Sequence, residues 1–399
     1  MGYKGVVVLN QLTKFFIAFI TLFIPVKRGL FLYGSWFGNK YGDNSRYFFE
    51  HVSREHPEIE SIWITKNQGV LEQINNQTGL KAVEQGSFKS LWLHLRAQAV
   101  FCNTSQESDL WGLVLNRSTV VFNLWHGTPI KKIGLDALDS NISKEKLGVS
   151  SRTTLKALLP KSIFLRMKRF ANKETYFLAS SEAVSTILQS AMGIDKEHVI
   201  IGGYPKLDHL IKAPTSLSSG KILYAPTYRG EYNSENDLLS EFGFDPVKVN
   251  SWLSEHDKTL TIRLHPANAL PQEKLVELKN FPKIIVGDNR DLYESLKDYE
   301  LVVTDFSSLY YDCLAINVPV LLAPFGLESY EKNDRPLYFS PSELYPYPLA
   351  NDWPQLITEL AELLEQGKDL SDIKRKFYLD SKGNSSRELM KTINGILLG

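Results

Sequence analysis

The sequence predicts an α/β protein made of two doubly wound domains with parallel sheets. The chain has 399 residues, which is more than one hydrophobic core usually supports. Beyond residue 28, short runs rich in β-branched and aromatic residues alternate with helical patterns, as is typical of βαβ units. The sequence shows no internal repeat, heptad array or low-complexity tract, which excludes solenoids, propellers and coiled coils.

Eleven segments are predicted as strands, in two series, and a turn near the junction of the series is predicted to mark the domain boundary. The turn contains Gly202-Gly203-Tyr204-Pro205, where paired glycines and a proline favour a crossing between domains. We therefore predict an N-terminal segment at 1–28, a first domain at 29–202 and a second domain at 203–399. The first series is Gly29–Tyr33, Ser61–Thr65, Ala99–Asn103, Thr119–Leu124 and Thr175–Ala179, and the second is Val199–Ile201, Lys221–Ala225, Thr259–Leu264, Lys283–Val286, Leu301–Thr304 and Val318–Leu322.

The charge composition argues against nucleic acid as a partner. Lysine plus arginine balance aspartate plus glutamate at 45 each, so an anionic ligand must be bound by local groups. The hydrophobic fraction of 43% is ordinary for a globular protein. The two cysteines, Cys102 and Cys313, are too few for a disulfide framework, which indicates a reducing compartment.

Two segments leave a membrane contact open. The apolar run Phe15–Pro25 lies between Lys14 and Lys27, but eleven residues cannot span a bilayer core that needs about 20. A small-residue cleavage site does not follow the run, which argues against a signal peptide. The run is a helix lying in a membrane interface or a helix docked on the protein. Similarly, the basic amphipathic segment Lys144–Lys173 is either a solvated helix or a contact for anionic lipid or a polyanionic acceptor.

The first of four notable loops follows the predicted strand that ends at Leu124. Ligands of open parallel sheets bind beyond the carboxyl ends of the strands. The chain reads W-H-G-T-P-I-K-K here, and we expect the last three residues to open a helix capped by Thr128. Gly127 leaves room for a ligand to approach the backbone. His126 is therefore predicted as a general base beside the anion-favouring N-terminus of a helix.

The second loop presents another histidine at the end of a predicted strand. It reads Arg263-Leu264-His265-Pro266, with the proline stiffening the backbone. Arg263 and His265 share one face, where the arginine could hold a phosphate and the histidine could exchange a proton near neutral pH. Two histidines at strand ends favour a functional interpretation over a structural one.

The third and fourth loops offer groups for a nucleotide. Thr304-Asp305-Phe306-Ser307-Ser308 precedes a helix expected to begin near Leu309, and its hydroxyls and the helix N–H groups could bind a diphosphate. The alternative is that these side chains only cap the helix. The fourth loop contains Tyr228 and Arg229, which suit contact with a base or a phosphate.

Several common signatures are missing from the sequence. It contains neither G-x-G-x-x-G nor G-x-x-x-x-G-K-[ST], so a dinucleotide fingerprint and a P-loop are excluded. Neither H-E-x-x-H nor C-x-x-C occurs, so we expect no metal or other cofactor. The nucleophile elbow G-x-S-x-G is also missing, which argues against a serine hydrolase.

Six motifs in order resemble the CDP-glycerol:poly(glycerophosphate) glycerophosphotransferase family, whose members build teichoic acids and related capsule polymers. The match covers most of the chain, with Ser45 where the first family motif has proline. The motifs are Trp36-Phe37-Gly38-Asn39-Lys40-Tyr41-Gly42-Asp43-Asn44-Ser45-Arg46, Leu124-Trp125-His126-Gly127-Thr128-Pro129-Ile130-Lys131, Gly203-Tyr204-Pro205-Lys206-Leu207-Asp208, Tyr224-Ala225-Pro226-Thr227-Tyr228-Arg229, Arg263-Leu264-His265-Pro266 and Thr304-Asp305-Phe306-Ser307-Ser308-Leu309-Tyr310-Tyr311-Asp312.

This resemblance implies a GT-B-like pair of Rossmann-type domains with the active site in the cleft between them. It implies CDP-glycerol as donor, release of CMP, a lipid-linked or polymeric acceptor, and peripheral attachment to the cytoplasmic face of a bacterial plasma membrane. His126 would be the general base on the acceptor hydroxyl, and His265 would bind or protonate phosphate oxygens.

The resemblance also assigns the remaining site residues. In a later family segment Arg335 is retained, but Pro336 replaces the family's glycine. We expect acceptor-side roles for Asp43, Asn44, Gly127, Thr128 and Lys131, and donor phosphate or nucleotide contacts from Arg229, Arg263, Pro266, Thr304, Asp305, Ser307, Ser308 and Arg335.

Three alternatives stay open at this point. The same motifs could serve CDP-ribitol, because polyol length is set by pocket contacts that the sequence does not display. A GT-B glycosyltransferase that uses a nucleotide sugar would share the architecture. A membrane-associated scaffold could also keep a nucleotide-binding fold, although it would not need both His126 and His265. The motifs do not distinguish the addition of one unit from polymerisation.

Overall fold

The computed structural model describes residues 13–138, 172–214, 218–229, 234–235, 238–264, 268–288, 290–378 and 382–398. Within these ranges the chain forms a seven-stranded and a five-stranded sheet, both parallel, and one pair of two-residue strands. The predicted α/β class with parallel sheets is confirmed.

The first sheet has the strand order β3-β2-β1-β4-β5-β6-β7. Side chains alternate between its two faces, so Leu30 and Leu32 of β1 pack in one apolar cluster and Phe31 and Tyr33 in the other. Both faces are buried, as is usual for parallel sheets. The strands are β1 Lys27–Tyr33, β2 Glu60–Thr65, β3 Ala82–Glu84, β4 Ala97–Cys102, β5 Val120–Asn123, β6 Thr175–Ala179 and β7 Val199–Ile201.

The second sheet has the strand order β12-β10-β8-β13-β14, and β9 pairs with β11 outside it. All eleven predicted strands are present, whereas β3, β9 and β11 were missed. Strands β9 and β11 have only two residues, and β3 is a three-residue segment that ends in a glutamate instead of an apolar run. The strands are β8 Lys221–Tyr224, β9 Ser234–Glu235, β10 Thr259–Ile262, β11 Asn268–Ala269, β12 Ile284–Val286, β13 Leu301–Thr304 and β14 Val320–Leu322.

Helices pack on both sheets. The α-helices are Asp43–Glu55, Gln68–Gln73, Phe88–Arg96, Gln106–Asp109, Gly134–Leu138, Glu182–Met192, Asp208–Lys212, Leu238–Glu241, Pro246–Glu255, Gln272–Leu278, Leu309–Ile316, Leu327–Asn333, Pro341–Leu344, Trp353–Gln366, Ser371–Phe377 and Ser385–Leu398. Residues 13–20 are also helical, and Ile74–Thr78 form a π-helical turn. Short 3₁₀ turns lie at Thr21–Phe23, Trp36–Gly38, Gly112–Val114, Lys196–His198, Pro205–Leu207, Leu292–Glu294 and Leu296–Asp298.

We call the part around the seven-stranded sheet the first half and the part around the five-stranded sheet the second half. The described chain passes from one half to the other twice. After β7 it crosses toward β8, and after the second sheet the helix Ser385–Leu398 returns to pack on the helix Asp43–Glu55 of the first half. The Asp208 carboxylate fixes the start of this last helix, because it accepts the N–H groups of Ser385 and Ser386 at 2.8 Å each. The domain boundary near residue 202 stays a prediction.

The N-terminal segment docks on the first half and also exposes an aromatic surface. The Thr21 hydroxyl accepts the N–H of Arg117 at 3.1 Å, while Phe16, Phe19 and Phe23 face outward. Residues 1–12 lie outside the described residues, as does the segment 144–173 except for its last two residues. Within the described ranges, no helix is long and apolar enough to cross a bilayer.

Candidate active site

The loop after β5 holds His126 through a strained turn. Trp125 has a φ of +54°, in the left-handed region that non-glycine residues rarely adopt. Three asparagine side chains fix this conformation. The Asn123 carboxamide oxygen accepts the Trp125 N–H at 3.0 Å, and the amides of Asn44 and Asn103 donate to the Trp125 carbonyl at 3.0 and 2.5 Å. The surrounding structure therefore fixes the direction in which His126 leaves the strand.

His126 has the protonation state of a base. Its Nδ1 lies 3.3 Å from the backbone carbonyl of Asn103, and a carbonyl can only accept, so the neutral ring carries its proton on Nδ1. Nε2 then keeps its lone pair. Burial lowers the pKa of His126 to about 4, which outweighs the opposing effect of the Asn103 carbonyl. The rings of Trp36 and Trp125 flank the imidazole, with centroids at 5.6 and 4.6 Å.

The helix expected at Ile130–Lys132 is a wrong prediction. This segment is extended and pairs with a segment from the second half. Lys131 forms an antiparallel bridge with Leu337, and the Lys132 N–H donates to the Pro336 carbonyl at 2.9 Å. The first helix after His126 begins only at Gly134. Tertiary pairing has overridden the local signal, so Thr128 caps no helix here; its buried hydroxyl instead lies 3.1 Å from that of Ser180.

A different helix N-terminus lies beside the His126 loop. The helix Leu309–Ile316 begins at Ser308, and Gly127 approaches this serine so closely that a Cβ on Gly127 would lie 2.7 Å from Ser308 Oγ. The Ser307 hydroxyl accepts the Leu309 N–H at 3.3 Å, so Ser307 contributes to capping. Among the described residues, the Ser308 side chain caps none of the N–H groups. The structure thus brings the predicted acceptor-side loop against the predicted donor-side helix.

Cationic side chains from two of the predicted loops, together with Arg335 of the later family segment, gather near this helix. The guanidinium of Arg229 donates to Asp305 at 2.8 Å and lies 5.9 Å from the centroid of the Tyr330 ring. The ammonium of Lys131 lies at the same distance from that ring. The pKa of Lys131 is lowered to about 8, chiefly by burial and also by the charge of exposed Arg335, while the Asp305 carboxylate opposes both. This group of cations suits a ligand with several phosphate charges.

The predicted donor residues differ in how available they are. Asp305 is buried, and its second oxygen accepts the N–H groups of Thr227 and Phe306 at 2.6 and 2.7 Å, so the carboxylate orients Arg229. The buried Thr304 hydroxyl donates to the Ala225 carbonyl at 2.7 Å and joins β13 to β8. Direct donor contact by these two residues stays a prediction.

The Arg263 loop is described only in part. Arg263 follows β10 directly and is half-buried. His265 and Pro266 lie outside the described residues, so their predicted roles are untested. Across the described ranges, no three His, Cys, Asp or Glu side chains are grouped so that they could hold a metal ion.

Asp43 and Asn44, predicted on the acceptor side, are buried behind the His126 loop. Asp43 begins the helix Asp43–Glu55 with a φ of +61°. Burial raises its pKa to about 6, although the positive charge of Lys206 opposes the rise. Asn44 supports the loop through its bond to Trp125 and accepts the Lys206 N–H at 3.2 Å. Direct contact of these residues with an acceptor stays a prediction.

Lys206 was missed as a site residue by the sequence reasoning. Its side chain is fully buried, and its ammonium group donates to the His126 carbonyl at 2.9 Å and to the Tyr293 hydroxyl at 2.7 Å. It also lies 3.0 Å from Asp312 and 3.6 Å from Asp43. The available signal was a lysine directly between the apolar residues Pro205 and Leu207, where its side chain could be buried and would then require paired charges.

Comparisons with known proteins identify the family of this chain. Residues 16–395 match the family described as CDP-Glycerol:Poly(glycerophosphate) glycerophosphotransferase. The chain is 26% identical to the teichoic acid glycerol-phosphate transferase of Staphylococcus aureus, over 92% of this chain and 93% of that protein. It is 24% identical to the teichoic acid poly(glycerol phosphate) polymerase of Bacillus spizizenii, over 93% of each chain.

A solved structure supports the fold. The structure of a histidine-to-asparagine variant of the wall teichoic acid polymerase TagF, soaked with CDPG, matches with a TM-score of 0.72 at 18% identity. The match covers 99% of this chain and 95% of that one, which confirms the predicted GT-B-like architecture. Because the family match spans nearly the whole sequence, the chain belongs to the CDP-glycerol:poly(glycerophosphate) glycerophosphotransferase family and is a transferase.

Proposed function

We propose that this enzyme transfers glycerol phosphate from CDP-glycerol to a hydroxyl of a lipid-linked or polymeric acceptor and releases CMP, in the synthesis of a teichoic acid or capsule-type polymer. The observation that carries the proposal is His126, a neutral imidazole with a free Nε2 lone pair. It belongs to a loop that touches the N-terminus of the helix Leu309–Ile316. Family membership and this geometry favour phosphoryl transfer over a scaffold role.

The reaction is one substitution at phosphorus. His126 Nε2 takes the proton of the acceptor hydroxyl while that oxygen forms a bond to the phosphorus that carries glycerol. The bond from this phosphorus to the bridging diphosphate oxygen breaks, and its electron pair leaves with CMP. The imidazolium then returns the proton to solvent or to product. A low pKa keeps His126 ready as a base throughout the neutral range.

Developing charge on the diphosphate requires preorganised positive groups. The N–H groups at the start of the helix Leu309–Ile316 and the Ser308 hydroxyl are suited to the diphosphate oxygens. Arg229 and Lys131 add full charges, and Arg335 lies close to Lys131. From its motif alone, His265 is proposed to bind or protonate a phosphate oxygen.

A donor screen tests the reaction class. The purified enzyme is incubated with a lipid-linked acceptor and with CDP-glycerol, CDP-ribitol or a UDP-sugar, and the released nucleotide is identified. We expect CMP from CDP-glycerol and extension of the acceptor. CMP from CDP-ribitol alone would replace glycerol with ribitol, and UDP release would identify a glycosyltransferase. Product length then distinguishes one addition from polymerisation.

A matched pair of histidines tests the base. His126→Ala should lower kcat by about 10²- to 10⁴-fold, the usual contribution of general acid–base catalysis. His94 is the control because it is also buried, has a pKa lowered to about 4 by burial, and donates from Nδ1 to a backbone carbonyl, that of Ser90 at 2.6 Å. His94→Ala should reduce stability while a folded sample keeps kcat. Equal losses of kcat in both variants would remove the assigned role.

The proposal includes peripheral attachment to the cytoplasmic face of a bacterial plasma membrane. Support comes from the exposed rings of Phe16, Phe19 and Phe23 and from a second exposed pair, Phe88 and Trp92, on the helix Phe88–Arg96. The Arg96 guanidinium lies 5.4 Å from the Trp92 ring. Aromatic rings beside cations suit an interface with anionic lipid.

Vesicle sedimentation tests the attachment. Replacing Phe16, Phe19 and Phe23 by serine should move most of the protein out of the pellet with vesicles that contain phosphatidylglycerol. The control replaces Val247 and Val276, which are exposed in the second half, and should leave sedimentation unchanged. Equal pelleting of both variants and the wild type would contradict attachment through this surface.

A further inference from the structure

A buried charge cluster connects the predicted base to the predicted donor site. It consists of Lys206, Asp43, Asp312 and Tyr293, and these residues come from four separate segments of the chain. Both Lys206 and Asp312 are fully buried, where an ionised group is stable only with partners. The catalytic steps described above use none of these four side chains directly.

The geometry points to Lys206 as a positioning residue that holds His126 in register with the donor helix. Its ammonium group binds the His126 backbone carbonyl at 2.9 Å and the Asp312 carboxylate at 3.0 Å. Asp312 lies on the helix Leu309–Ile316, whose N-terminus is the proposed diphosphate site. One lysine thus links the base and the donor helix. This inference rests on the proposed function.

The cluster is built to hold the ammonium in one position. The Tyr293 hydroxyl accepts from Lys206 at 2.7 Å and donates to one Asp312 oxygen at 2.5 Å, while the Tyr378 hydroxyl donates to the other oxygen at 2.6 Å. The backbone N–H of Lys206 also donates to the side-chain oxygen of Asn44, and Asn44 supports the His126 loop. With these contacts fixed, neither the base nor the helix can shift without breaking the lysine's hydrogen bonds.

The positive charge of Lys206 provides a second test of its contact with the His126 loop. Burial is the main reason for the low pKa of His126, and the charges of Lys206 and Lys131 lower it further. The Asn103 carbonyl and the Asp109 carboxylate act in the opposite direction. Removing the Lys206 ammonium should therefore raise the pKa of His126. The fall of kcat on the acid side of the pH profile (the acid limb) should then move toward higher pH. Loss of stability alone would not move this limb.

The first variant is Lys206→Met, which keeps an unbranched side chain and removes the charge. We expect kcat with CDP-glycerol to fall about 100-fold, the loss expected for a misplacement of about 1 Å, with a smaller change in KM. The control is Lys297→Met. Lys297 is also buried and its ammonium donates to a backbone carbonyl, that of Ala213 at 2.6 Å, but it contacts no group of the cluster among the described residues. The kcat of the Lys297→Met enzyme and the acid limb of its pH profile should match those of the wild type.

The second variant separates positioning from folding. Lys206→Met leaves the buried Asp312 without its cation, so the single variant could unfold. The double variant Lys206→Met/Asp312→Asn removes both charges and should recover thermal stability, because the new carboxamide can accept from one tyrosine hydroxyl and donate to the other. Its kcat should stay well below wild type, since the His126 carbonyl still lacks its donor.

The outcomes separate this inference from the proposed function. A folded double variant with wild-type kcat would overturn the positioning role of Lys206. An unchanged acid limb and kcat in a folded Lys206→Met enzyme would do the same. Failure of the wild type to release CMP from any CDP-polyol would instead refute the proposed reaction. Low kcat in both Lys206 variants, with normal turnover in Lys297→Met, is the expected result.

Discussion

The contact between Gly127 and Ser308 gives a sharp steric prediction. Gly127 has a φ of +149°, and an added Cβ would lie 2.7 Å from Ser308 Oγ and 2.8 Å from Ser308 Cβ. An ordinary contact begins at 3.4 Å, so Gly127→Ala must separate the loop from the helix by about 0.7 Å. We expect strain of about 1–3 kcal/mol from the backbone and a similar amount from overpacking.

Gly86→Ala is the control for backbone strain. Gly86 also has a positive φ, +93°, but no heavy atom lies within 4 Å of its added Cβ. Only the backbone contribution of about 1–3 kcal/mol should appear there. Thermal and urea unfolding, followed by circular dichroism, should therefore show a larger loss for Gly127→Ala.

Activity and a compensating change complete this test. A displacement of this size should lower kcat for CMP release by about tenfold or more, whereas Gly86→Ala should keep wild-type turnover. Adding Ser308→Gly removes both clashing atoms, so the double variant should regain the overpacking contribution to stability. Equal stability and equal kcat for Gly127→Ala and Gly86→Ala would refute the close approach of the two loops.

Two further predictions concern pH. Because the pKa of Lys131 is lowered to about 8, kcat/KM for CDP-glycerol should decline above that pH, and Lys131→Arg, which stays charged, should move the decline upward in a profile from pH 6 to 10. An unchanged limb would exclude Lys131 as its source. Burial raises the pKa of Asp43 from 3.8 to about 6, so wild-type stability falls as pH rises through this window. Asp43→Asn tolerates the left-handed backbone and should gain up to roughly 3 kcal/mol relative to wild type between pH 3.5 and 7 in urea unfolding.

The sheets were predictable because each strand carries its own signal. Parallel strands buried on both faces are short apolar runs, and this pattern located all eleven predicted strands. Strand β3, Ala82–Glu84, ends in a glutamate instead of forming an apolar run, and its pairing with β2 depends on position in the fold. The helix expected at Ile130–Lys132 failed for a related reason, since residues 336–338 supply pairing partners that lie far away in sequence.

The site was predictable only where a motif ends a strand. His126 follows β5 in a motif with glycine and proline, and the structure adds its tautomer and its low pKa. Lys206 was missed because lysines are normally exposed. Its role depends on Asp43, Tyr293 and Asp312, which only the fold brings together. Likewise, the sequence offered Asp305 as a ligand, whereas the structure engages its carboxylate with Arg229 and two backbone N–H groups.

The returning helix Ser385–Leu398 has a consequence for synthesis on the ribosome. Leu389, Met390 and Ile393 are buried where this helix packs on Asp43–Glu55, an element made more than 300 residues earlier. The first half of the nascent chain therefore emerges with an apolar face that stays uncovered until residues 385–398 have been made. A ribosome paused before codon 385 would hold a first half open to chaperones and proteases. Synthesis of this helix would then be the step that covers the apolar face of the helix Asp43–Glu55.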